Sequence, residues 1–333
     1  MNEEKLNATA RALVAEGKGI LAADESSPTI KKRFDSIKIE STEDNRRDYR
    51  QMLFTTPNAA QFISGVILFD ETIRQKSSDG TPLVKVLESV GIIPGIKVDA
   101  GAKNLAGHPG EKVTEGLDGL RERFAEYAKL GARFAKWRAV YQITDTLPSR
   151  ACIAVNAHAL ARYAALAQEA GIVPIVEPEV LMDGSHTIDR CDEVTEAVLN
   201  SLYDELALQG VNLEGSLLKP NMVLSGKDCP EQASVAEVAR RTVRCLKRTV
   251  PSAVPGIVFL SGGQTDEQAT QHLNAMNKLD EVRPWKLSFS YGRALQAAPL
   301  KAWAGKPANL KAGQEAFFER AKANGLAAKG AYA

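Results

Sequence analysis

Short apolar runs rich in β-branched residues recur along the chain, and each has the length of a buried strand. Between them, apolar residues return at helical spacing, as in the stripe Leu117, Leu120, Phe124 and Tyr127. The runs predict strands at 20–23, 62–69, 92–98, 132–141, 172–181, 217–224, 256–260 and 285–289. Helices are predicted at 114–129, 151–170, 193–208, 234–250 and 265–279, with Asp192 and Thr265 as two of their caps.

The spacing of these runs predicts an α/β barrel. From Asp24 at the end of the first run to Gly292 after the last there are seven steps of about 38 residues, the size of strand–helix units. A doubly wound open sheet is the alternative, but it needs a glycine-rich fingerprint after the first strand, and residues 21–25 (LAADE) lack one. We therefore expect a single (β/α)8 TIM-barrel domain over residues 1–333. An extra helix at 4–16 precedes the barrel, and a helical tail follows from about Leu310.

The amino-acid composition argues against several classes of function. The 333 residues carry 42 basic and 41 acidic side chains, so no bulk charge attracts nucleic acid or an anionic membrane. No apolar signal core and no run of 18 apolar residues is present, which predicts a soluble, cytoplasmic protein without membrane partners. The four cysteines and four histidines fall at no metal-binding or disulfide spacing. We expect neither a metal nor a cofactor.

Charged or polar residues lie inside or at the ends of five predicted strands, often two positions apart. They are Asp24, Lys97 with Asp99, Lys136 with Arg138, Glu177 with Glu179, and Lys219 with Asn221. Residues two apart on a strand point the same way, and active sites of barrels lie at the carboxyl ends of the strands. These side chains should therefore meet in one pocket. The alternative is a ring of structural salt bridges without catalysis.

Lys219 is the strongest candidate for chemistry, because it interrupts the apolar stretch 215–223 (GSLLKPNMV). Burial and a neighbouring positive charge both lower the pKa of a lysine, and a neutral amine attacks carbonyl carbon to form a Schiff base. A lysine at a strand end that pairs with a carboxylate is the alternative.

Two segments have the residues expected of a phosphate-binding loop. Residues 259–264 (FLSGGQ) and 288–293 (SFSYGR) follow the seventh and eighth strands, where barrels commonly bind phosphate through backbone N–H groups. Their candidate ligands are Ser261, Gly262, Ser290, Gly292 and Arg293. A second phosphate position is predicted from Ser26, Thr29 and Arg33 together with Lys97, although Ser26 to Thr29 could equally be only a helix N-cap.

Together these segments resemble the class I fructose-bisphosphate aldolases, the Schiff-base, metal-independent type. The matching stretches run in the family's order from near residue 6 to the end of the chain. They are 17–26 (GKGILAADES), 43–50 (EDNRRDYR), 95–99 (GIKVD), 134–138 (FAKWR), 175–179 (IVEPE), 213–223 (LEGSLLKPNMV), 259–264 (FLSGGQ) and 289–296 (FSYGRALQ). Each motif is short, but the collinear set is highly specific.

The resemblance implies a role for each catalytic candidate. Lys219 resembles the Schiff-base lysine, and Lys136 the neighbour that keeps it neutral by charge repulsion. Glu177 is similar to the general acid/base, Glu179 to the carboxylate that balances the lysine cluster, and Asp24 to the base for the C4 hydroxyl. Ser261, Gly262, Gly292 and Arg293 match the C1-phosphate pocket, with Ser290 beside them. Lys97, Arg138, Arg33, Ser26 and Thr29 match positions for the other end of the sugar.

The implied activity is reversible cleavage of fructose 1,6-bisphosphate into dihydroxyacetone phosphate and glyceraldehyde 3-phosphate by a homotetramer in glycolysis and gluconeogenesis. A Schiff-base aldolase that prefers fructose 1-phosphate or another ketose phosphate is the nearest alternative. A non-catalytic barrel scaffold is the other, and it would be expected to have lost Lys219, Glu177 or Asp24.

Overall fold

The computed structural model describes residues 2–333, which form a closed parallel barrel. The strands are β1 Gly19–Ala23, β2 Ile63–Leu68, β3 Ile93–Lys97, β4 Ala102–Asn104, β5 Lys112–Thr114, β6 Phe134–Tyr141, β7 Val173–Val180, β8 Leu217–Leu218, β9 Gly256–Phe259 and β10 Lys286–Tyr291. The barrel order is β1-β10-β9-β8-β7-β6-β3-β2, while β4 and β5 pair as a separate antiparallel hairpin. The predicted eight-stranded TIM barrel is confirmed.

Helices surround the barrel and extend it at both chain ends. They are α1 Glu3–Leu13, α2 Ser27–Ser36, α3 Glu43–Phe54, α4 Asp70–Arg74, α5 Leu83–Ser89, α6 Leu120–Leu130, α7 Arg150–Glu169, α8 Ile188–Leu208, α9 Val235–Thr249, α10 Asp266–Lys278, α11 Arg293–Trp303 and α12 Leu310–Ala327. The extra amino-terminal helix and the carboxyl-terminal helical tail are present as predicted. Within residues 2–333, no helix combines the length and the hydropathy needed to cross a bilayer.

Helix α1 closes the amino-terminal end of the barrel. Its buried residues Leu6, Ala10 and Leu13 recur at helical spacing and join one apolar cluster with barrel residues such as Phe134 and Leu217. The hydroxyl of Ser64 also donates to the carbonyl of Leu13 at 2.6 Å. This packing leaves the carboxyl ends of the strands as the end where a cavity can open.

Three details of the sequence-based prediction are wrong. The sixth strand is only Leu217–Leu218, because Pro220 has no N–H to continue the ladder, although the Lys219 amide still donates to Val176 O at 2.8 Å. Helix α8 begins at Ile188 under a Thr187 cap, so Asp192 lies inside the helix. Helix α6 begins at Leu120 rather than 114, since the preceding residues form β5 and a glycine turn. Thr265, in contrast, does cap α10.

The interior of the barrel is packed tightly enough to require glycine at particular positions. A Cβ on Gly95, in β3, would lie 2.3 Å from the ring of Phe134. Because carbon atoms do not approach this closely, a larger residue there must displace the ring.

We expect Gly95→Ala to lower the free energy of unfolding by about 2 kcal/mol through this overpacking. Urea unfolding at fixed protein concentration measures the effect. The double variant Gly95→Ala with Phe134→Leu relieves the collision and should recover part of the loss. Strict additivity of the two single changes would contradict the proposed clash.

Candidate active site

A cavity of about 890 Å³ opens at the carboxyl ends of the barrel strands. Every residue to which the sequence analysis gave a catalytic or phosphate-binding role lines it: Asp24, Ser26, Thr29, Arg33, Lys97, Lys136, Arg138, Glu177, Glu179, Lys219, Ser261, Gly262, Ser290, Gly292 and Arg293. The carboxyl ends of parallel strands share one end of a barrel, so these distant residues come together there.

Two lysines and two carboxylates form the centre of this cavity. Lys219 is 3% exposed, and its Nζ lies 3.2 Å from Glu177 Oε1. Lys136 Nζ lies 3.3 Å from Glu177 Oε2 and 2.7 Å from Asp24 Oδ2. Glu177 therefore bridges the two lysines, and Lys136 links it to Asp24 in a continuous chain of charges.

The strand order explains this arrangement. Glu177 lies on β7, between β6 with Lys136 and β8, which ends just before Lys219. In the parallel pairing of β6 with β7, Arg138 lies opposite Glu177. Lys136 therefore lies two residues before the position opposite Glu177. Asp24 follows β1, separated from β6 by two intervening strands, and Lys136 reaches it across the mouth of the barrel.

Burial and charge act in opposite directions on these groups. Burial alone would raise the pKa of Glu177, but Lys136, Lys219 and Arg138 outweigh it and lower that pKa. The pKa of Asp24 is lowered for the same reason, with Lys136 the largest favourable charge. Burial would lower the pKa of Lys136, yet Asp24 and Glu177 raise it. The carboxylates are therefore ionised and Lys136 is protonated near neutral pH.

Glu179 lies in the cavity but is paired differently from Glu177. Its Oε2 accepts from Arg138 Nε at 2.5 Å, and among residues 2–333 Arg138 is the only cation within 4.0 Å of this carboxylate. The carboxylate of Asp99 accepts a hydrogen bond from the backbone amide of Arg138, on β6, at 3.3 Å. Its other oxygen lies 3.6 Å from Lys97 Nζ. Glu179 thus meets an arginine rather than the lysines.

Gln264 stabilises the loop after β9 through hydrogen bonds. Gln264 donates to the carbonyl of Ser261 at 3.1 Å, and its own Oε1 lies 2.6 Å from His272 Nδ1. Burial lowers the pKa of His272 to about 4, so the imidazole is neutral at this contact. Gly262 has a φ of +54°, a conformation that side chains disfavour, and it turns the loop toward the cavity.

The loop after β10 meets the loop after β9 through Arg293. Its Nη2 donates to the carbonyl of Gly262 at 2.5 Å, and the same residue begins α11. The hydroxyl of Ser290, which lines the cavity, is buried and has no hydrogen-bond partner among residues 2–333. A hydroxyl that is free to donate, together with the amino terminus of α11, favours the binding of an anion at this part of the cavity.

Another wall of the cavity is formed by α2. Ser26 occupies the N-cap position of this helix, but its hydroxyl makes no capping bond and instead lies 3.1 Å from the Thr29 hydroxyl. Ser26, Thr29 and Arg33 follow at helical spacing and all line the cavity. A cap alone therefore does not account for these residues.

The sequence also suggested two residues that do not line the cavity, Asp99 and Asn221, and missed others that do. Asn221 was expected beside Lys219, but its amide oxygen accepts from the Val180 amide at 3.0 Å, away from the cavity. The strand alternation ends at Pro220, so the spacing of two no longer applies. Lys227, paired with Asp183 at 2.5 Å, reaches the rim of the cavity, and Glu25 lines its wall. Glu25 adjoins Asp24 in the motif, which could have drawn attention to it.

One group of residues has the composition of a metal site. Asp192, Glu196 and Cys245 offer ligand atoms within 4.8 Å of one another. Arg241 and Arg244 pair with Asp192, however, and Arg248 lies 2.8 Å from Glu196. With the carboxylates already neutralised by guanidinium groups, the cluster serves to join α8 to α9.

The fold and the site define a TIM-barrel enzyme with a buried lysine–carboxylate centre and further cationic side chains in the same cavity. The chain belongs to the class I fructose-bisphosphate aldolase family, whose model matches residues 5–333. Its enzyme class is therefore lyase, of the aldolase type.

Similar proteins cover almost the whole chain. A probable class 1 fructose-bisphosphate aldolase of Xanthomonas campestris is 63% identical over 331 residues, 99% of each chain. A cytosolic fructose-bisphosphate aldolase of Arabidopsis thaliana is 58% identical, over 99% of this chain and 92% of the relative. The fructose-bisphosphate aldolase of Plasmodium falciparum, solved in complex with TRAP and a small-molecule inhibitor, superposes with a TM-score of 0.98 at 52% identity. That match covers 99% of this chain and 95% of the other.

Proposed function

We propose that this chain cleaves fructose 1,6-bisphosphate reversibly into dihydroxyacetone phosphate and glyceraldehyde 3-phosphate through a Schiff base on Lys219. The observation that carries this proposal is the 3.2 Å contact between Lys219 Nζ and Glu177 Oε1, inside a cavity that further cationic groups line. An amine that attacks a ketone needs a proton acceptor at this distance.

Glu177 serves proton transfer during imine formation. Its carboxylate accepts a proton from Lys219, which then adds to the C2 carbonyl as a free amine. The protonated Glu177 next donates to the carbinolamine hydroxyl, which leaves as water, and a protonated imine forms. Lys136, held as a cation by Asp24 and Glu177, stabilises the negative charge between these transfers.

Asp24 serves the carbon–carbon cleavage. It accepts the proton of the C4 hydroxyl, the C3–C4 bond breaks, and its electron pair moves into the iminium to give an enamine. Glyceraldehyde 3-phosphate leaves, C3 takes up one proton while Asp24 gives back the one that it accepted, and addition of water to the imine releases dihydroxyacetone phosphate and free Lys219. The lowered pKa of Asp24, caused chiefly by Lys136 against the effect of burial, supports its role as an ionised base at neutral pH.

The number of cationic and hydroxyl groups in the cavity supports a bisphosphate as the substrate. The resemblance assigns Ser261, Gly262, Ser290, Gly292 and Arg293 to the C1 phosphate. It assigns Lys97, Arg138, Arg33, Ser26 and Thr29, which line the same cavity, to the other phosphate, and fructose 1-phosphate would leave this second set without an anion. Glu179 would fix Arg138 in this set through their ion pair.

Borohydride trapping with dihydroxyacetone phosphate, followed by peptide mass spectrometry, tests the proposal. A single reduced adduct on Lys219, formed equally with and without EDTA, is the expected result. It would support a mechanism that needs neither metal nor cofactor. Metal-dependent turnover without an adduct would exclude the Schiff base, while neither adduct nor turnover would favour a scaffold.

We also propose that the chain acts as one domain, as a homotetramer in the cytoplasm. The family model spans nearly all of it, and curated relatives from Arabidopsis thaliana are named as cytosolic. Exposed apolar side chains such as Leu208, at 76%, are available for contacts between copies. Sedimentation equilibrium at micromolar concentration would distinguish a tetramer from smaller species.

A further inference from the structure

Behind the α2 side of the cavity, Glu25 receives two hydrogen bonds on one carboxylate oxygen. Its Oε1 accepts from Arg33 Nη1 at 2.5 Å and from Gln296 Nε2 at 2.7 Å. Glu25 is 6% exposed, so water provides little alternative solvation for this carboxylate. A charge-assisted bond in such surroundings holds its partner firmly.

Gln296 is itself immobilised. The same Nε2 donates to the carbonyl of Ala22 at 2.7 Å, and Oε1 accepts from the Tyr49 hydroxyl at 3.1 Å. The side chain comes from α11 and is buried. The amide therefore ties Glu25 to strand β1, whose end also carries Asp24.

Arg50 holds the backbone of Glu25 from the other side. Its Nη2 donates to the Glu25 carbonyl at 2.9 Å, and the remaining charge is shared with Glu71 at 3.3 Å. The Arg50 guanidinium is buried. Glu25 is thus fixed in both its main chain and its side chain.

Arg33 connects this hydrogen-bond network to the cavity. One nitrogen of its guanidinium is bound to Glu25, while Nη2 lies 3.6 Å from the position that a Cβ on Gly292 would take, so Arg33 lies between α2 and the loop after β10. An unrestrained arginine must lose side-chain entropy when it meets an anion, and a preorganised one loses less. The buried carboxylate lowers this cost, while 23% of the Arg33 side chain stays accessible.

We propose that Glu25 and Gln296 are positioning residues that hold Arg33 against the second phosphate of the substrate, and thereby set the preference for sugar bisphosphates over monophosphates. The inference rests on the proposed function for the identity of the substrate. It concerns binding, however, and can be measured without turnover.

The test is the Glu25→Gln variant, which keeps the size of the side chain and removes its charge. Calorimetric affinities are measured for two unreactive probes, a hexitol 1,6-bisphosphate and a hexitol monophosphate. We expect the Kd of the bisphosphate to rise about tenfold and that of the monophosphate to change less than about twofold. In turnover, KM for fructose 1,6-bisphosphate should rise while kcat stays within about twofold.

Asp192→Asn is the matched control, because Asp192 is also a buried carboxylate paired with arginine but lies outside the cavity. It should lose stability and leave both affinities unchanged. If Glu25→Gln does not fold, Gln296→Met removes one donor to the same oxygen and should weaken bisphosphate binding about threefold, again selectively.

Three results would overturn the inference: equal losses for both probes, unchanged affinity for the bisphosphate, or a fall in kcat without a change in affinity. The last would mean that the network acts on Asp24. Selective loss of bisphosphate binding in a protein that turns over neither sugar would instead reject the proposed reaction and leave the positioning role standing.

Discussion

Lys219→Ala is expected to lower kcat for fructose 1,6-bisphosphate by roughly 10⁵-fold and to abolish the borohydride adduct, because Lys136, the other lysine in contact with Glu177, is held protonated by Asp24 and Glu177 and is not a nucleophile. The fold should persist. Glu177 keeps its contact with Lys136 at 3.3 Å, so the loss of Lys219 does not leave this carboxylate unpaired. Steady-state kinetics and trapping on the same preparation measure both effects.

Lys286→Ala is the matched control for this prediction. Lys286 also lies on a barrel strand, as the first residue of β10, but it is exposed at the opposite end of the barrel. This variant should retain wild-type turnover and a full adduct. An adduct on another lysine in the Lys219→Ala protein, together with substantial turnover, would show that the nucleophile has been assigned to the wrong residue.

Lys136→Met is expected to reduce both activity and stability. Removal of the cation leaves Asp24 without its partner at 2.7 Å and Glu177 with Lys219 alone. We expect a loss of about 3 kcal/mol in the free energy of unfolding at pH 7, as for other broken buried ion pairs. A decrease in kcat of about 10³-fold should accompany it, because both proton-transfer groups lose their electrostatic support.

The stability loss in Lys136→Met should depend on pH in a defined direction. In the wild type the pKa values of Asp24 and Glu177 are lowered, so their ionisation stabilises the fold above the pKa values of the unfolded chain. That contribution is lost as the pH falls through the folded values. Without Lys136 these carboxyl groups protonate more readily and cease to be unpaired charges. The destabilisation should therefore shrink between pH 7 and about pH 4.

Urea unfolding at several pH values and one protein concentration measures this dependence. Lys18→Met provides the control, since Lys18 is partly buried and donates to the carbonyl of Ala60 at 2.7 Å, with no carboxylate involved. Its stability loss should stay constant over the same pH range. A constant loss in Lys136→Met would contradict the electrostatic coupling of Lys136 to the two carboxylates.

The barrel could be predicted from local patterns because each strand and helix carries its own periodicity. Lys219 could be singled out for a similar reason, since a cation within an apolar strand is conspicuous without any knowledge of its neighbours. The shortening of the sixth strand to Leu217–Leu218 was harder to predict, even though the sequence contains Pro220. An apolar run has no marker of where pairing stops, and the barrel closure decides how many of its residues pair.

The partners of the charged residues were not predictable in the same way. Glu179 was placed with the lysines, yet Arg138 takes its carboxylate, because cross-strand distances decide between neighbouring cations. Glu25, Arg50 and Gln296 lie far apart in sequence, and only the closure of β1 against β10 brings Gln296 to Glu25. Such contacts depend on chain geometry over hundreds of residues.

The sequence by itself determined the architecture, the set of residues at the mouth of the barrel and the kind of chemistry they suit, because hydrophobic period and residue type are local properties. Only the tertiary structure decided which charges touch: Glu177 between two lysines, Lys136 across to Asp24, and Arg33 held by a buried carboxylate. Coulomb interactions and hydrogen bonds depend on separations of a few ångströms, which a closed barrel sets and a linear pattern does not contain.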